Sequence, residues 1–400
     1  MVMLQASNTL QLLEQVRTFK PKLVEMRRHF HQYPELAFQE VNSAGYIAEY
    51  LSELGMEIRS GMAKTGVVGL LNGNSPGKTI ALRADMDALP ISEETGASYA
   101  SQNEGVMHAC GHDGHMACLL GAATILSKLN REFSGRVRFI FQPAEEGPGG
   151  ARPMIEEGAL EGVDAIIGCH LWFDLPVGTI GFKYGSAMAC LDSIDVTIVG
   201  KGGHGANPHQ TVDAIAVSSQ VISALQTIAS REVSPVEPVV VTIGTISGGH
   251  AYNIIADRVT MKGTVRAINP DLRSTLPERI ERIIGGIAKA MRADYEFKYH
   301  FGYPPLINHY GMTAMVEDVA RKIVGPDKVI RVEKPTMGGE DMAYYLEKVP
   351  GTFAWIGIEN STKGICHSHH NAKFDIDEDA LVTATQLLVL SAIEYLGRKS

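Results

Sequence analysis

Three short β-rich runs, residues 79–84, 137–141 and 165–168, each lead into side chains able to hold a metal or a proton: Asp85 and Asp87, Glu145 and Glu146, Cys169 and His170. A helical pattern over 116–129 lies between two of them, with Val67 to Leu71 as a further strand. Strands alternating with helices fold as a largely parallel sheet flanked by helices, the α/β class. Sheets of that class place their sites just outside the carboxyl ends of the strands. Three endings of one chemical character therefore constrain fold and site together.

The remaining periodicity builds around this frame. Residues 9–32 carry apolar positions at helical spacing, interrupted by Pro21, and predict a kinked helix or two helices. Residues 40–54 predict another, closed by Gly55. From residue 191 the character changes: 192–199 alternates like a half-exposed strand, followed by a Gly-rich loop, a helix over 211–230, strands over 239–246 and 258–266, and a helix over 272–292. This is a compact α+β insertion. After Pro304-Pro305 helix and strand patterns resume, ending in a helix over 377–396 that Asp377 caps. The expected organisation is a main domain in two parts, residues 1–190 and 303–400, interrupted by an insertion over 191–302. A chain of 400 residues exceeds the usual single-core domain, which agrees.

Composition removes several partners. The formal charge is −9 and no Lys/Arg-dense stretch is present, so nucleic acid is not expected. The first residues lack a basic segment followed by an apolar one, and no apolar run approaches membrane-spanning length, which predicts a soluble, cytoplasmic protein without a membrane partner. Five scattered cysteines, 110, 118, 169, 190 and 366, are unlike a disulfide framework.

The densest chemistry is His108-Ala-Cys110-Gly-His112-Asp113-Gly-His115, just before the helical pattern. At a separation of two, Cys110 and His112 cannot share a helix face, so they converge on one ion from the loop and the first helical residue. A helix N-terminus also favours thiolate and neutral imidazole, the forms that bind metal. The plainer reading is a core cysteine beside surface histidines. Glu145 and Glu146 follow an apolar strand, where adjacent side chains point apart, so one can ligate while its neighbour faces an attacking water. A charged surface loop is the alternative. His170 is a ligand candidate or a satisfied core histidine, and Asp87 either caps a turn before Pro90 or holds a ligand histidine by its second nitrogen. In Cys366-His367-Ser368-His369-His370-Asn371, spacing alone does not choose the ligand. His204, in Gly200-Lys-Gly-Gly-His-Gly-Ala206, either approaches a ligand closely or sits in an ordinary hairpin loop.

Taken together the chain resembles the amidohydrolase family of bacterial aminoacylases, hippurate hydrolases, plant auxin-conjugate hydrolases and related zinc carboxypeptidases. The matches run from Arg28-His29-Phe30-His31-Gln32-Tyr33-Pro34-Glu35 through Arg83 to Pro90, Cys110 to His115, Pro143 to Gly147, His170-Leu171-Trp172, the His204 loop and Gly263-Thr264-Val265-Arg266 to Met337-Gly338-Gly339-Glu340-Asp341. The resemblance implies Cys110, His112, Glu146, His170 and His370 as ligands of two divalent ions and Glu145 as catalytic acid/base. His370 is aligned through His370-Asn371-Ala372-Lys373-Phe374-Asp375, where Ala372 replaces the family's usual proline; His369 is the reserve. The resemblance makes the insertion a lid and dimerisation domain of a homodimer or higher homo-oligomer, whose His204 reaches the partner's active site, with Asn253 and Arg266 contacting substrate. Thiolate and imidazole suggest zinc or cobalt, and the resemblance admits manganese and nickel. The expected reaction is hydrolysis of N-acyl amino acids or short peptides by metal-activated water, with His204 stabilising the oxyanion and Arg266 holding a substrate carboxylate. Two rivals are a serine or cysteine hydrolase, disfavoured because the Gly-x-Ser-x-Gly string Gly73-Asn-Ser-Pro-Gly77 lies between two strand runs rather than at the strand-to-helix turn a nucleophile elbow needs, and an inactive metal- or peptide-binding scaffold of the same fold.

Overall fold

The computed structural model describes residues 6–398. In chain order the elements are α1 (Ala6–Thr18), α2 (Lys20–Gln32), α3 (Val41–Glu53), β1 (Glu57–Met62), β2 (Gly66–Asn72), β3 (Thr79–Asp85), α4 (His112–Lys128), β4 (Arg136–Gln142), α5 (Ala151–Glu156), β5 (Ala165–Pro176), β6 (Ile180–Phe182), β7 (Gly185–Met188), β8 (Leu191–Val199) and β9 (Gly203–His204). They continue with α6 (Ala214–Thr227), β10 (Val239–Gly248), β11 (Ile254–Ile255), β12 (Arg258–Ala267), α7 (Pro270–Ala290), β13 (Asp294–Tyr303), β14 (Leu306–Asn308), α8 (Tyr310–Val324), β15 (Val329–Arg331), α9 (Met342–Leu346), β16 (Gly351–Glu359) and α10 (Asp379–Gly397). Two compact units result: one takes the chain up to Gly185, Ile307–Lys334 and the chain from Tyr344 onward, the other Ser186–Leu306 with Pro335–Ala343.

The first unit is built on an eight-stranded mixed sheet in the order β1-β2-β4-β3-β5-β16-β6-β15. Its centre is parallel: Leu82 of β3 sits opposite Phe139 of β4 and Ile167 of β5, and His170 of β5 opposite Trp355 of β16. β1 and β2 add an antiparallel edge. Every residue of β3 is buried, as a strand covered on both faces requires. Its one cation, Arg83, is satisfied inside by Gln142 and Asp85. α4 is buried from His112 to Leu126, and its small residues let neighbours close in: a Cβ at Gly121 would lie 2.4 Å from Leu23 Cδ2. The break expected near Pro21 is real, with α1 ending at Thr18 and Pro21 in the first turn of α2.

Three expectations are corrected. β5 does not stop before Cys169 and His170 but runs to Pro176, because its ladder with β16 continues to Pro176 opposite Glu359 after its ladder with β3 has ended at Arg83 opposite Gly168. The last helix begins at Asp379 with Glu378 as N-cap; Asp377 lies one residue earlier and still accepts the Asp379 N–H at 3.1 Å. Among the described residues one helix, α10, is long and apolar enough to cross a membrane by length and composition, whereas no such run was expected. Thr383, Thr385, Gln386 and Ser391 interrupt it in sequence, but all four are buried in the fold, Thr385 bonded to Leu381 O and Gln386 to Leu13 O. Most of the helix is inside the unit, as in a core helix.

The second unit is a four-stranded antiparallel sheet, β10-β12-β8-β13, with α6 and α7 packed on its apolar face through Ile194, Val196, Val221, Leu225, Ile280 and Ile284. Asp213 and Asn269 cap the two helices, each accepting two main-chain N–H groups.

Candidate metal centre

Gly111, at φ +90°, is the N-cap of α4, a conformation that only glycine adopts readily; it leaves Cys110 in the loop and makes His112 the first helical residue. His112 is fully buried and donates Nδ1–H to the main-chain carbonyl of Asp87 at 2.8 Å. That bond leaves Nε2 free to face an ion; it is buried with no hydrogen-bond partner, 3.8 Å from Asp85 Oδ2. Asp87 thus holds a candidate ligand through its carbonyl, and its carboxylate Oδ1 also lies 3.5 Å from the same Nδ1. The carboxylate also accepts the N–H groups of Glu145 (2.8 Å) and Glu146 (2.9 Å), anchoring the turn after β4. Ala144, just before them, has φ +57° and is tied by its N–H to Glu40 Oε1 at 2.9 Å. A left-handed non-glycine costs about 1–2 kcal/mol, which these charge-assisted bonds offset.

Because the β3 ladder has ended, the edge of β5 is open where His170 sits. The Leu171 peptide organises three rings there. Its N–H donates to His115 Nε2, and its carbonyl accepts from His170 Nδ1 and His369 Nε2, all at 2.9 Å. His170 Nε2 therefore faces Cys110 Sγ, 3.5 Å away, as an acceptor. His369 is engaged by the carbonyl, while His370, at φ +64° and held by its N–H to Ala109 O, reaches Glu146 Oε1 with Nε2 at 3.0 Å.

Ligand atoms of Cys110, His112 and His170 lie within 4.8 Å of one another, as do those of Cys110, Glu146 and His370, and those of His112, Glu145 and Glu146. A further trio, Asp85, His112 and His115, is differently occupied: His115 Nδ1 donates to Asp85 Oδ1 at 2.6 Å, its Nε2 accepts from Leu171, and Arg83 holds Asp85 Oδ2 at 2.8 Å. Asp85 and His115 carry no individual signature in the sequence; the available signal is that they are ionisable residues inside runs that must be buried.

Electrostatics here departs from expectation. Burial, with Glu146 and Glu145, pushes the Cys110 thiol well above its ordinary value, outweighing the helix terminus that was expected to favour thiolate. For His112 burial acts downward, but Asp85, Asp87 and Glu146 raise it to about 10. Burial, then His115 and His369, holds His170 far below its usual value, and burial holds His369 at about 4. Glu146 lies below the usual carboxylate range: burial opposes this and His370 and His112 outweigh it. Without metal, protons on His112 and His370 balance the carboxylates; a divalent ion bound there would take the place of those protons and reverse the penalty on the thiolate. The residues fit such an ion in donor type and in the orphaned, buried His112 Nε2.

His204, Asn253 and Arg266 belong to the second unit. His204 is exposed on β9, paired with Ile254 of β11, and the Gly205 N–H bonds Asn253 O at 2.8 Å, so His204 and Asn253 share one exposed corner. Arg266 is half-buried on β12, with Nη1 donating to Val265 O at 3.2 Å and Asp192 O at 3.4 Å.

Sheet, insertion and donor set define a hydrolase class, and residues 81–394 match peptidase family M20/M25/M40. The chain belongs to this family and is a hydrolytic enzyme. It is 44% identical over 383 residues to an N-acetyl-L-cysteine deacetylase of Bacillus subtilis, covering 95% of this chain and 89% of the relative. It is 40% identical over 391 residues to thermostable carboxypeptidase 1 of Saccharolobus solfataricus, covering 97% and 98%. With an N-acyl-L-amino acid amidohydrolase of Geobacillus stearothermophilus it shares 48% over 299 residues, 74% of this chain and 80% of that one. A Bacillus subtilis crystal structure described as a dinuclear metal binding peptidase from the M20 family superposes with a TM-score of 0.83 at 39% identity, covering 95% and 99%.

Proposed function

We propose that this enzyme hydrolyses the amide bond of N-acyl amino acids or short peptides, with two divalent ions held by Cys110, His112, Glu146, His170 and His370. The observation that carries the reading is that two donor clusters meet at Cys110, one with His112 and His170 and the other with Glu146 and His370. The relatives are named as a deacetylase, an amidohydrolase and a carboxypeptidase, activities that all break an amide bond. When bound, the ions supply Lewis acidity and make water a nucleophile at neutral pH. Thiolate and imidazole favour zinc or cobalt, with manganese and nickel as alternatives.

Glu145 is buried, shares a cluster with His112 and Glu146, and is fixed at its N–H by Asp87. It takes the proton of the attacking water and returns it to the leaving amine. His204 of the partner subunit donates to the tetrahedral oxyanion, and Arg266 and Asn253 bind the substrate, the guanidinium matching a carboxylate. Exposure of His204 and Asn253 supports this, and β10 supports a homodimer, being an edge strand with exposed Ile246. All five cysteines are free, which suits the cytoplasm. An inert scaffold would have no use for Glu145 beside a full donor set.

The test separates the two glutamates. Glu145→Gln is expected to retain its metal and lose at least about a hundredfold in kcat, while Glu146→Gln loses metal. The reverse pattern in elemental analysis would show the roles exchanged.

A further inference from the structure

We propose that Arg27 is a positioning residue that clamps two segments of the metal centre together, the first turn of α4 carrying His112 and the loop that follows His370; the inference rests on reading those two histidines as ligands. Arg27, on α2, is fully buried. Its Nε donates to Asp113 Oδ2 at 2.7 Å and its Nη2 to Asp375 Oδ1 at 2.7 Å. Asp113 is the residue after His112, and Asp375 closes the segment that begins at His370. These segments are remote in sequence from α2 and from each other, and one planar fork joins them.

Both carboxylates are also locked to their own backbone. Asp113 Oδ1 accepts the Gly114 N–H at 2.9 Å, and Asp375 Oδ1 accepts the Ile376 N–H at 2.8 Å. A displacement of either carboxylate is therefore a displacement of the main chain that carries a ligand. Each is held from a further side, Asp113 by His31 Nδ1 at 2.7 Å and Asp375 by the Tyr99 hydroxyl at 2.7 Å. The Arg27 guanidinium lies over the Tyr99 ring, 5.0 Å from its centroid.

Stability alone does not explain this arrangement, since a buried ion triad is commonly matched or exceeded by an apolar one of the same volume. What the triad supplies is registry, and only arginine has the rigid fork that reaches two carboxylates at once. Groups beyond the ligands that orient them typically alter metal affinity by about 10–100-fold.

Arg27→Lys, Asp375→Asn and their double variant are made in the full chain. Affinity of the folded protein for Zn²⁺ alone is measured by competition with a chromophoric chelator, beside the melting temperature of the metal-free form. Each single variant is expected to bind Zn²⁺ at least about tenfold more weakly. The double variant is expected to be no weaker than Arg27→Lys, because both cut the same link. Glu317→Gln, which weakens a separate buried ion cluster in the same unit, serves as the control that lowers stability and leaves affinity unchanged. Variants that fold and bind Zn²⁺ within about twofold of wild type would overturn the clamp, whatever their melting temperature. Should Arg27→Lys fail to fold, Asp375→Asn decides alone, since it leaves Arg27 paired with Asp113. A wild-type protein that binds no Zn²⁺ would instead remove the ligand reading, and the clamp with it.

Discussion

The two nitrogens of His112 have separate fates, and the difference explains how single atoms define the centre. Nδ1 is committed to the Asp87 carbonyl, and Nε2 is left buried with nothing to accept from. Asp87→Asn keeps the carbonyl but replaces one oxygen that accepts from the glutamate turn with an amide donor. It is expected to lower kcat by about 10–100-fold while His112 keeps its bond to the Asp87 carbonyl, and kcat beside metal content measures this. His370→Ala is expected to lower metal content and His369→Ala to leave it near wild type, because His369 Nε2 is engaged by Leu171 O and His370 Nε2 faces Glu146. Equal loss in both would reject the assignment. The density of thiol, imidazole and carboxylate in Cys110–His115 and in Cys366–His370 was legible in sequence; the choice among the C-terminal histidines rested on a resemblance, since spacing does not encode the φ of +64° that turns His370 toward Glu146. That Asp87 acts through its carbonyl was equally invisible, because sequence names side chains and this bond is made by backbone.

Among the elements, α4 and the strands β2, β3 and β4 were readable because apolar runs bounded by turn residues have one inexpensive burial. β5 was only half readable: its extension through His170 depends on pairing with β16, a strand remote in sequence that no local pattern identifies as its neighbour. β13 was missed although residues 294–303 alternate polar and aromatic, the same pattern that marks 192–199 as a strand; its positions alternate between exposed and half-buried along a sheet edge. α8 carries Glu317, whose carboxylate is buried and takes Arg331 at 2.9 Å, Arg321 at 2.5 Å and the Tyr184 hydroxyl. Burial acts to raise its pKa, and Arg331, Tyr184 and Arg321 outweigh that and hold it below the ordinary carboxylate value. The associated stability is complete above the unfolded-state pKa of about 4.3 and is lost as pH falls through the lower folded value. Glu317→Gln is therefore expected to be less stable than wild type by about 1–3 kcal/mol at pH 7, with the gap narrowing below about pH 4. Urea unfolding at pH 7 and pH 3.5 checks this; a gap that widens in acid would show the opposite sign of shift.

At the scale of the molecule, the change in strand character near residue 191 lies close to the point, Gly185 to Ser186, where the chain passes from one compact unit to the other, whereas the recruitment of Pro335–Ala343 to the second unit has no local signal, since it depends on contacts between distant segments such as Ala189 N–H with Thr336 O and Gly338 O. The proposed homodimer makes His204 and Glu145 act from different chains. Refolding Glu145→Ala with His204→Ala chains is expected to restore roughly a quarter of wild-type activity, since half the dimers are mixed and each mixed dimer has one complete site. No recovery, with mixed dimers verified by differently tagged subunits, would place both groups in one chain. The central claim, that metal held by Cys110, His112, Glu146, His170 and His370 is what makes water attack an amide, is tested most directly by chelator-stripped protein acting on an N-acetyl amino acid before and after a divalent ion is added back. The account predicts that turnover falls by at least about a hundredfold and returns as metal content approaches about two ions per chain. Full turnover in protein that elemental analysis shows to be metal-free would contradict it.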